Sequence, residues 1–360
     1  MKNTVKILAL ISAIILSASC NTKENIPDPE PDPNQGGEVV SSHIYRNPVI
    51  SYSAPDPSWI KVDDTFYLYA TEDIRGIPIF KSIDFINWVD TGKRAFPSES
   101  GRPTFIPSHY EGCLWAPDIN YIDGQYVLYY VQGGTADSGI GVATASSPEG
   151  PWNNHGMVIS NSSLGVAGCI DPEFVSADGK NYLFFGSFSH IYAIELTANG
   201  LGRAAGTPLH TVAGSAYEAP YVYKKDGYYY LFASAGYWGS DYKADNPYRV
   251  VVGRSKSVLG EYVDKHGNRM LDSQRAWGMS YANPGHELVI RDGHGYSATG
   301  HNGEIMTDKN GNDWIVYHAE KTLGAARTVM LDKLNWVDGW PIINSNGICS
   351  TDLHDGPVVR

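Results

Sequence analysis

The sequence predicts an all-β chain folded as a five-bladed β-propeller. One hairpin pattern recurs five times, no long stretch has helical periodicity, and aromatic residues make up 12% of the chain. Tyrosine is the most frequent of them, with 24 residues, and aromatic side chains favour half-buried strands. A β-sandwich or a solenoid with similar strand spacing is the alternative, but five spaced copies suffice to close a ring of blades.

Each copy of the hairpin has a turn with Asp or Asn, usually with Gly, followed by a run of β-branched and aromatic residues. Asp-Gly supplies the positive φ angles that a tight hairpin turn requires. The five turns begin at Asp63, Asp123, Asp178, Asp226 and Asn310. Their spacing is near that of a four-stranded unit with its loops, although an insertion around residues 264–300 stretches the last interval.

Shorter alternating segments after the hairpins predict the third and fourth strands of the blades. Examples are IPIFKSIDFINWVD, GIGVATASSPEGPW and RVVVGRSKSVLGEYV. Four strands in each of five copies account for residues 43–360 as one domain, a length that is ordinary for a large all-β domain.

The first 42 residues predict an export signal and a tether. Residues 1–19 have a Lys-bearing start, a short apolar core and small residues before Cys20, as in a lipoprotein signal peptide that leaves Cys20 lipidated. The apolar core is too short to span a bilayer, which disfavours an uncleaved anchor. Residues 20–42 are rich in Pro, Asp, Glu and Gly and predict a disordered tether. We therefore expect a bacterial envelope lipoprotein, attached to the outer or inner membrane and facing the periplasm or the outside.

The net charge bears on the partner of the chain, and the cysteine content bears on metal sites and disulfides. The net charge is −12 at pH 7 and becomes more negative when the two lysines of the signal leave, so we expect no nucleic-acid partner. No CxxC pair is present to suggest a zinc or redox site. With Cys20 lipidated, the remaining Cys113, Cys169 and Cys349 allow at most one disulfide.

One residue stands at nearly the same distance before each hairpin. The five are Asp56, Trp115, Asp171, Glu218 and His301. The first strand of each propeller blade lines the central channel, so we expect these residues to converge at its mouth. Two carboxyl groups on opposite sides of a glycosidic bond can act as acid and base, and a third raises the pKa of the acid. A lone Asp-Pro pair is more often a turn, but registration across blades favours a site.

The motifs around these residues resemble glycoside hydrolase family 43. The resemblance rests on APDPSW, LWAPDI, IDPEF, YEAPYVY, TGHNGE and RTVMLDKLNWVDGWP, and it covers residues 43 to about 345. It implies an inverting enzyme on a five-bladed propeller, with Asp56 as general base, Asp171 as modulator of the acid and Glu218 as general acid. It also implies a substrate among arabinans, arabinose side chains and xylosides of plant cell-wall polysaccharide.

The same resemblance implies further binding residues. Trp115 is similar to an aromatic subsite residue, with blade packing as the alternative. Arg327 resembles the arginine that binds the sugar in the cleaved subsite, and neutralisation of a structural acid is the alternative. His301 is similar to a histidine that holds a hydrated calcium or other ion in the channel, with an ordinary core histidine as the alternative. No other cofactor is expected.

Three more residues, Trp59, Asp118 and Tyr217, lie beside the motifs and are candidates for substrate contact. The segments YEAPYVYKKDGYYYLFASAGYW and VVVGRSKSVLGEYVDKHGNRML resemble the arabinanase-like branch of the family. They favour α-L-arabinofuranosyl linkages over the β-xyloside or galactofuranoside alternatives. A glycan-binding propeller without turnover is the alternative of another class, and it would tolerate loss of an acid, whereas all three acids are present.

Overall fold

The structure is a computed structural model that describes residues 43–71, 76–97, 114–134, 137–239, 244, 246–275, 285–322 and 324–359. The predicted signal peptide (1–19), the tether (20–42) and Cys113 lie outside the described residues. Cys169 and Cys349 are buried and free. Among the described residues, none of the helices has the length and apolar character needed to cross a bilayer.

Among the described residues, the strands form five larger antiparallel sheets that follow one another along the chain, and a two-stranded sheet that pairs β1 (Ile44–Tyr45) with the last strand. Blade 1 contains β2 (Ser58–Val62), β3 (Thr65–Tyr69), β4 (Ile77–Ser82) and β5 (Val89–Ala95). Blade 2 contains β6 (Leu114–Ile122), β7 (Gln125–Gln132), β8 (Gly139–Ala145) and β9 (Asn153–Ser160). A one-turn helix, α1 (Asn161–Leu164), leads to blade 3, which contains β10 (Glu173–Ala177), β11 (Lys180–Phe185), β12 (Ile191–Leu196) and β13 (His210–Ala213).

Blade 4 differs from the first three blades by a long connection between its third and fourth strands, and blade 5 by a fifth strand. Blade 4 contains β14 (Tyr217–Lys225), β15 (Tyr228–Ala235), β16 (Arg249–Ser255) and β17 (Glu287–Ile290), with a 3₁₀ turn at Met270–Asp272. Blade 5 contains β18 (Ser297–Gly300), β19 (Ile305–Thr307), β20 (Asp313–Glu320), β21 (Arg327–Val337) and β22 (Trp340–Ile343), and the chain ends after β23 (His354–Asp355). The predicted fold class, an all-β five-bladed propeller, is confirmed.

The predicted hairpin turns join the first two strands of blades 1 to 4. Asp63, Asp123, Asp178 and Asp226 all have positive φ angles, as expected for tight turns between antiparallel strands. Blade 5 differs because its inner strand is split into β18 and β19, which both pair with β20. There the turn uses Gly311, with φ of 78°, to reverse the chain.

The hydrophobic core consists of five clusters, each located between two neighbouring blades. Successive residues of a strand point to opposite faces of its sheet. On β3, Leu68 therefore packs against Val316 and Leu331 of blade 5, whereas Tyr69 packs toward Leu128 of blade 2. Every blade is buried on both faces, so the ring as a whole holds each inner strand at the channel.

The chain ends close the ring. β1 pairs with β23, and Ile50 forms a β-bridge with Val329 of blade 5. The buried Asn47 amide donates to the Leu331 carbonyl at 2.9 Å, and its oxygen accepts from the Leu331 N–H at 2.8 Å. The segment that leads into blade 1, and so to Asp56, is thereby fixed against blade 5.

Candidate active site

The start of each blade contains a non-glycine residue in the left-handed region. These five residues, with φ between 38° and 57°, are Asp56, Ala116, Asp171, Ala219 and His301, and blade 5 has a second one, Ala298. In blades 1 to 4 the next residue is proline, which disfavours the right-handed helical conformation in the residue before it. Left-handed backbone costs about 1–3 kcal/mol in a non-glycine residue and is concentrated at functional sites. The recurring left-handed backbone indicates that these five residues occupy equivalent positions in the five blades.

Two of the residues that the sequence singled out precede this position. Trp115 and Glu218 each lie one residue before the strained alanine, and the pairing of β6 and of β14 shifts its register at these points. Such irregularities re-aim side chains and are common beside active sites. Trp115 of blade 2 and Glu218 of blade 4 therefore project from a bulge. In the other three blades the residue with the left-handed backbone is itself the candidate: Asp56, Asp171 or His301.

The Asp56 carboxylate is surrounded by nitrogen groups of blade 5. Its Oδ1 lies 3.2 Å from Arg327 Nη1, 3.2 Å from His301 Nδ1 and 3.1 Å from His318 Nδ1. Its Oδ2 accepts a hydrogen bond from the Thr71 hydroxyl, which in turn accepts from the Ala116 N–H at 2.8 Å. These contacts join blades 5, 1 and 2 around one buried oxygen pair.

These neighbours keep Asp56 ionised. Burial would raise the pKa of Asp56, but Arg327 in first place, then His301 and His318, lower it, and the pKa lies well below its usual value. Burial also lowers the pKa of both imidazoles, to about 4 for His318, so both are mostly neutral at pH 7. Arg327 is therefore the permanent cation in contact with Asp56.

Glu218 and Asp171 lie in a different electrostatic environment. The Glu218 carboxyl accepts hydrogen bonds from the Tyr248 hydroxyl at 2.6 Å and from the Ser187 hydroxyl at 2.7 Å. Asp171 Oδ2 accepts from the N–H of Ala219, the residue after Glu218, at 3.1 Å. Each of the two carboxyl groups is thereby fixed by blades 3 and 4.

Burial raises the pKa of Glu218, although its two hydroxyl partners act in the opposite direction. Burial also raises the pKa of Asp171 well above its usual value, and the negative charges of Glu218 and Asp56 add to this shift. Two acids whose pKa values are shifted in opposite directions, Asp56 downward and Glu218 upward, are the arrangement that acid and base chemistry at one site requires.

Arg327 and Trp115 lie beside the acids in different ways. The Arg327 guanidinium lies 4.6 Å from the ring centroid of Trp238, which orients it toward Asp56. The Trp115 ring contacts the backbone at Gly133, where a Cβ atom would come within 2.2 Å of it. Trp115 is half-buried and packs in part against the core between blades 2 and 3.

Of the other three candidates for substrate contact, Asp118 and Tyr217 are buried and Trp59 is half-buried. The Trp59 ring packs edge-on against Phe66 and Phe85, inside the blade. Asp118 accepts a hydrogen bond from the Phe174 N–H at 2.8 Å, which links blade 2 to blade 3. Tyr217 alternates with Glu218 along the strand, so its side chain points into the core, where its hydroxyl contacts the His286 ring.

Four groups that hold the acids were not identified from the sequence. They are Thr71, Ser187, Tyr248 and His318. His318 is a polar residue within the otherwise apolar stretch WIVYHA, which is a signal that sequence inspection can use. Thr71 and Ser187 follow the second strands of their blades and Tyr248 precedes the third strand of its blade, so their contacts with the acids depend on tertiary structure.

The sequence allows a metal ion at His301. Calcium takes six to eight oxygen ligands. The described residues contain no group of three His, Cys, Asp or Glu side chains that could hold a metal. His301 Nδ1 instead faces Asp56, and its backbone N–H donates to Ser234 Oγ at 2.8 Å. A calcium cage built from side chains of the described residues does not fit here.

Comparison with known proteins decides the family. The model of glycosyl hydrolases family 43 matches residues 45–341. The chain belongs to family 43. It is therefore a glycoside hydrolase, acting on O-glycosyl compounds, and the family expected from the blade-head motifs is confirmed.

Relatives and solved structures agree with this membership. A probable arabinan endo-1,5-alpha-L-arabinosidase C of Aspergillus niger is 33% identical over 81% of this chain and 91% of its own length. An extracellular exo-alpha-(1->5)-L-arabinofuranosidase, ArbA, of Cellvibrio japonicus is 32% identical over 82% of this chain and 87% of its own length. The structure of the Cellvibrio cellulosa alpha-L-arabinanase superposes with a TM-score of 0.67 at 29% identity, covering 83% of this chain and 99% of the other.

Proposed function

We propose that this family 43 enzyme hydrolyses α-L-arabinofuranosyl linkages in arabinan or in arabinose side chains of plant cell-wall polysaccharide, with inversion at the anomeric carbon. The observation that carries the proposal is the pair of buried acids at one channel mouth, Asp56 held ionised and Glu218 held protonated more strongly than an ordinary Glu. The names of the relatives, which are arabinan-cleaving enzymes, support the choice of sugar.

In the proposed reaction Glu218 is the general acid and Asp56 the general base. Glu218 gives its proton to the glycosidic oxygen as the bond from that oxygen to the anomeric carbon breaks. A water attacks the same carbon from the opposite face, and Asp56 takes its proton as the new carbon–oxygen bond forms. The products are two neutral sugars, and a proton passes from Asp56 back to Glu218 through solvent before the next cycle.

Asp171 acts as modulator in this scheme. Its carboxyl group is fixed on the N–H of Ala219 and interacts with Glu218 through its charge. Because ionisation of either carboxyl group raises the pKa of the other, Asp171 and Glu218 together retain a proton to higher pH than an isolated carboxyl group would. Arg327 is the proposed contact to the sugar in the cleaved subsite, and Trp115 is the proposed stacking surface for a sugar ring.

The test is release of reducing sugar from a panel of linear arabinan, arabinoxylan, xylan and aryl glycosides. We expect turnover of linear arabinan or of arabinose side chains, and Glu218→Ala and Asp56→Ala to lower the rate by several powers of ten while sugar binding persists. Activity on aryl β-xyloside or unbranched xylan alone would contradict the proposed sugar. Full activity of either variant would contradict the assignment of acid and base.

We also propose that the enzyme is exported and tethered through lipidated Cys20. The sequence before Cys20 supports this proposal, as does the extracellular location that the ArbA relative's name states. Fractionation of cells that carry the parent or Cys20→Ala tests it, because only the parent should sediment with membranes. A hydrated ion beside His301 stays a prediction; dialysis against a chelator followed by assay of activity and melting temperature tests it.

A further inference from the structure

Arg275 lies in the connection between β16 and β17, which is the longest connection between the third and fourth strands of blades 1 to 4. This connection covers residues 256–286, and its counterparts cover 83–88, 146–152 and 197–209. The insertion that the sequence spacing indicated thus belongs to blade 4, the blade that carries Glu218. Arg275 follows the 3₁₀ turn at Met270–Asp272 and is half-buried.

Two aromatic rings hold the Arg275 guanidinium. Its central carbon lies 3.7 Å from the ring centroid of Phe188 and 4.3 Å from that of Tyr237. Arginine stacked on aromatic faces keeps its in-plane donors available for other partners. The planar group therefore has a fixed orientation without the use of its hydrogen-bond donors.

Both rings belong to residues that lie next to, or are hydrogen-bonded to, a residue that holds Glu218. Phe188 follows Ser187, whose hydroxyl donates to Glu218, and the Phe188 N–H donates to the carbonyl of Tyr217 at 2.8 Å. The Tyr237 carbonyl accepts from the N–H of Tyr248, whose hydroxyl also donates to Glu218. The guanidinium thus lies on the Glu218 side of the site, where its charge also acts on that acid.

The donors of Arg275 have no acceptor within the described part of the chain. Its Nε is buried without a hydrogen-bond partner there, and no described carboxylate forms an ion pair with the guanidinium. Arg327, the other arginine of the site, is instead paired with Asp56 at 3.2 Å. A buried donor without an acceptor costs about 1–3 kcal/mol, and this cost is removed when a ligand supplies the acceptor.

We propose that Arg275 determines specificity for the leaving group, donating hydrogen bonds to hydroxyl oxygens of the sugar that departs from the Glu218 side of the scissile bond. The proposal rests on the proposed function, because the general acid protonates the oxygen of the leaving group and so fixes the side on which that sugar lies. Arabinofuranosyl hydroxyls are neutral acceptors that a fixed guanidinium can bind without an accompanying charge.

The experiment compares two substrates that share a glycone and differ in the leaving group. Arabinotriose has a sugar as leaving group, whereas 4-nitrophenyl arabinobioside has an aryl group without hydroxyls, and nitrophenol release is followed for the latter. Each is assayed with the parent enzyme, Arg275→Ala, Arg275→Lys and the control Arg269→Ala. Arg269 belongs to the same insertion but pairs with Glu261 and Asp272 at the surface.

We expect Arg275→Ala to lower kcat/KM for arabinotriose by about tenfold to a hundredfold, the range for a lost hydrogen bond to a charged group. The value for the aryl substrate should stay within about twofold, Arg275→Lys should recover part of the loss, and Arg269→Ala should match the parent. Equal losses on both substrates, or no loss on either, would overturn the role of Arg275. A parent enzyme inert on both substrates would instead refute the proposed function.

Discussion

Replacement of Arg327 by methionine should move the acidic limb of the pH–rate profile upward. Arg327 Nη1 lies 3.2 Å from Asp56 Oδ1, and both neighbouring imidazoles are mostly neutral at pH 7. A unit charge pair at this distance with an effective dielectric constant of about 20 interacts by about 5 kcal/mol, or about 4 pKa units. Because Arg327 is partly exposed, we expect about 1–3 units, the range for an Asp beside an arginine.

The sign of the shift follows from the role of Asp56. A general base must be ionised. Burial raises the pKa of Asp56, but its cationic neighbours, chiefly Arg327, more than offset burial and hold the pKa well below its usual value. In the parent, the inflection from Asp56 should therefore lie below about pH 4 in kcat/KM, which reports the free enzyme. In Arg327→Met, the burial of Asp56 remains while its largest counter-charge is lost, so the inflection should move upward by about 1–3 pH units.

The assay is kcat/KM across pH 3 to 9 on the best substrate of the panel, with Arg327→Lys to retain charge and Arg269→Met as a surface control. Arg327→Lys should shift the limb less than Arg327→Met, because it keeps the cation but loses the planar fork. A loss of activity that is uniform with pH, with the acidic limb in place, would show that Arg327 acts on substrate alone. The electrostatic account of Asp56 would then be wrong.

Two further predictions concern buried acids. Tyr248→Phe removes a hydrogen bond that lowers the pKa of Glu218, so the alkaline limb of kcat/KM should move to higher pH by up to about one unit; an unmoved or lowered limb would contradict Glu218 as the acid. Burial raises the pKa of Asp118 to about 7, so the folded state holds a proton that the unfolded chain releases near pH 4. Stability should fall by up to about 4 kcal/mol as pH rises from 4 through 7, and Asp118→Asn, which still accepts from Phe174, should flatten the fall in melting temperature between pH 5 and 8. An equally steep fall in the variant would contradict the shift.

The sequence predicted the blades and three acids because both depend on local signals. The Asp-Gly turns predict the hairpins. The Asp-Pro pairs at Asp56 and Asp171 place an aspartate at the residue with the left-handed backbone. Trp115 and Glu218 lie one residue before that position, because the strand of each contains a bulge. The sequence does not predict the bulges, since a bulge does not change the local composition.

Other parts of the site could not be read from the chain in the same way. Tyr217 adjoins Glu218 in the sequence, but neighbouring residues of a strand point to opposite faces, and Tyr217 packs in the core. Thr71 and Tyr248 contact the acid of their own blade from a different strand connection, whereas Ser187 of blade 3 reaches Glu218 of blade 4. Such contacts join segments that are not adjacent in the sequence, so local patterns do not predict them.

The central claim is a one-step displacement in which Asp56 activates water on one face of the sugar and Glu218 protonates the leaving oxygen on the other. Proton NMR during the first turnovers on an α-L-arabinofuranosyl substrate tests it most directly, before the released sugar equilibrates between anomers. The first product should be the β-anomer. An α-anomer as the first product would mean retention and a covalent intermediate, and would contradict the roles given to both acids.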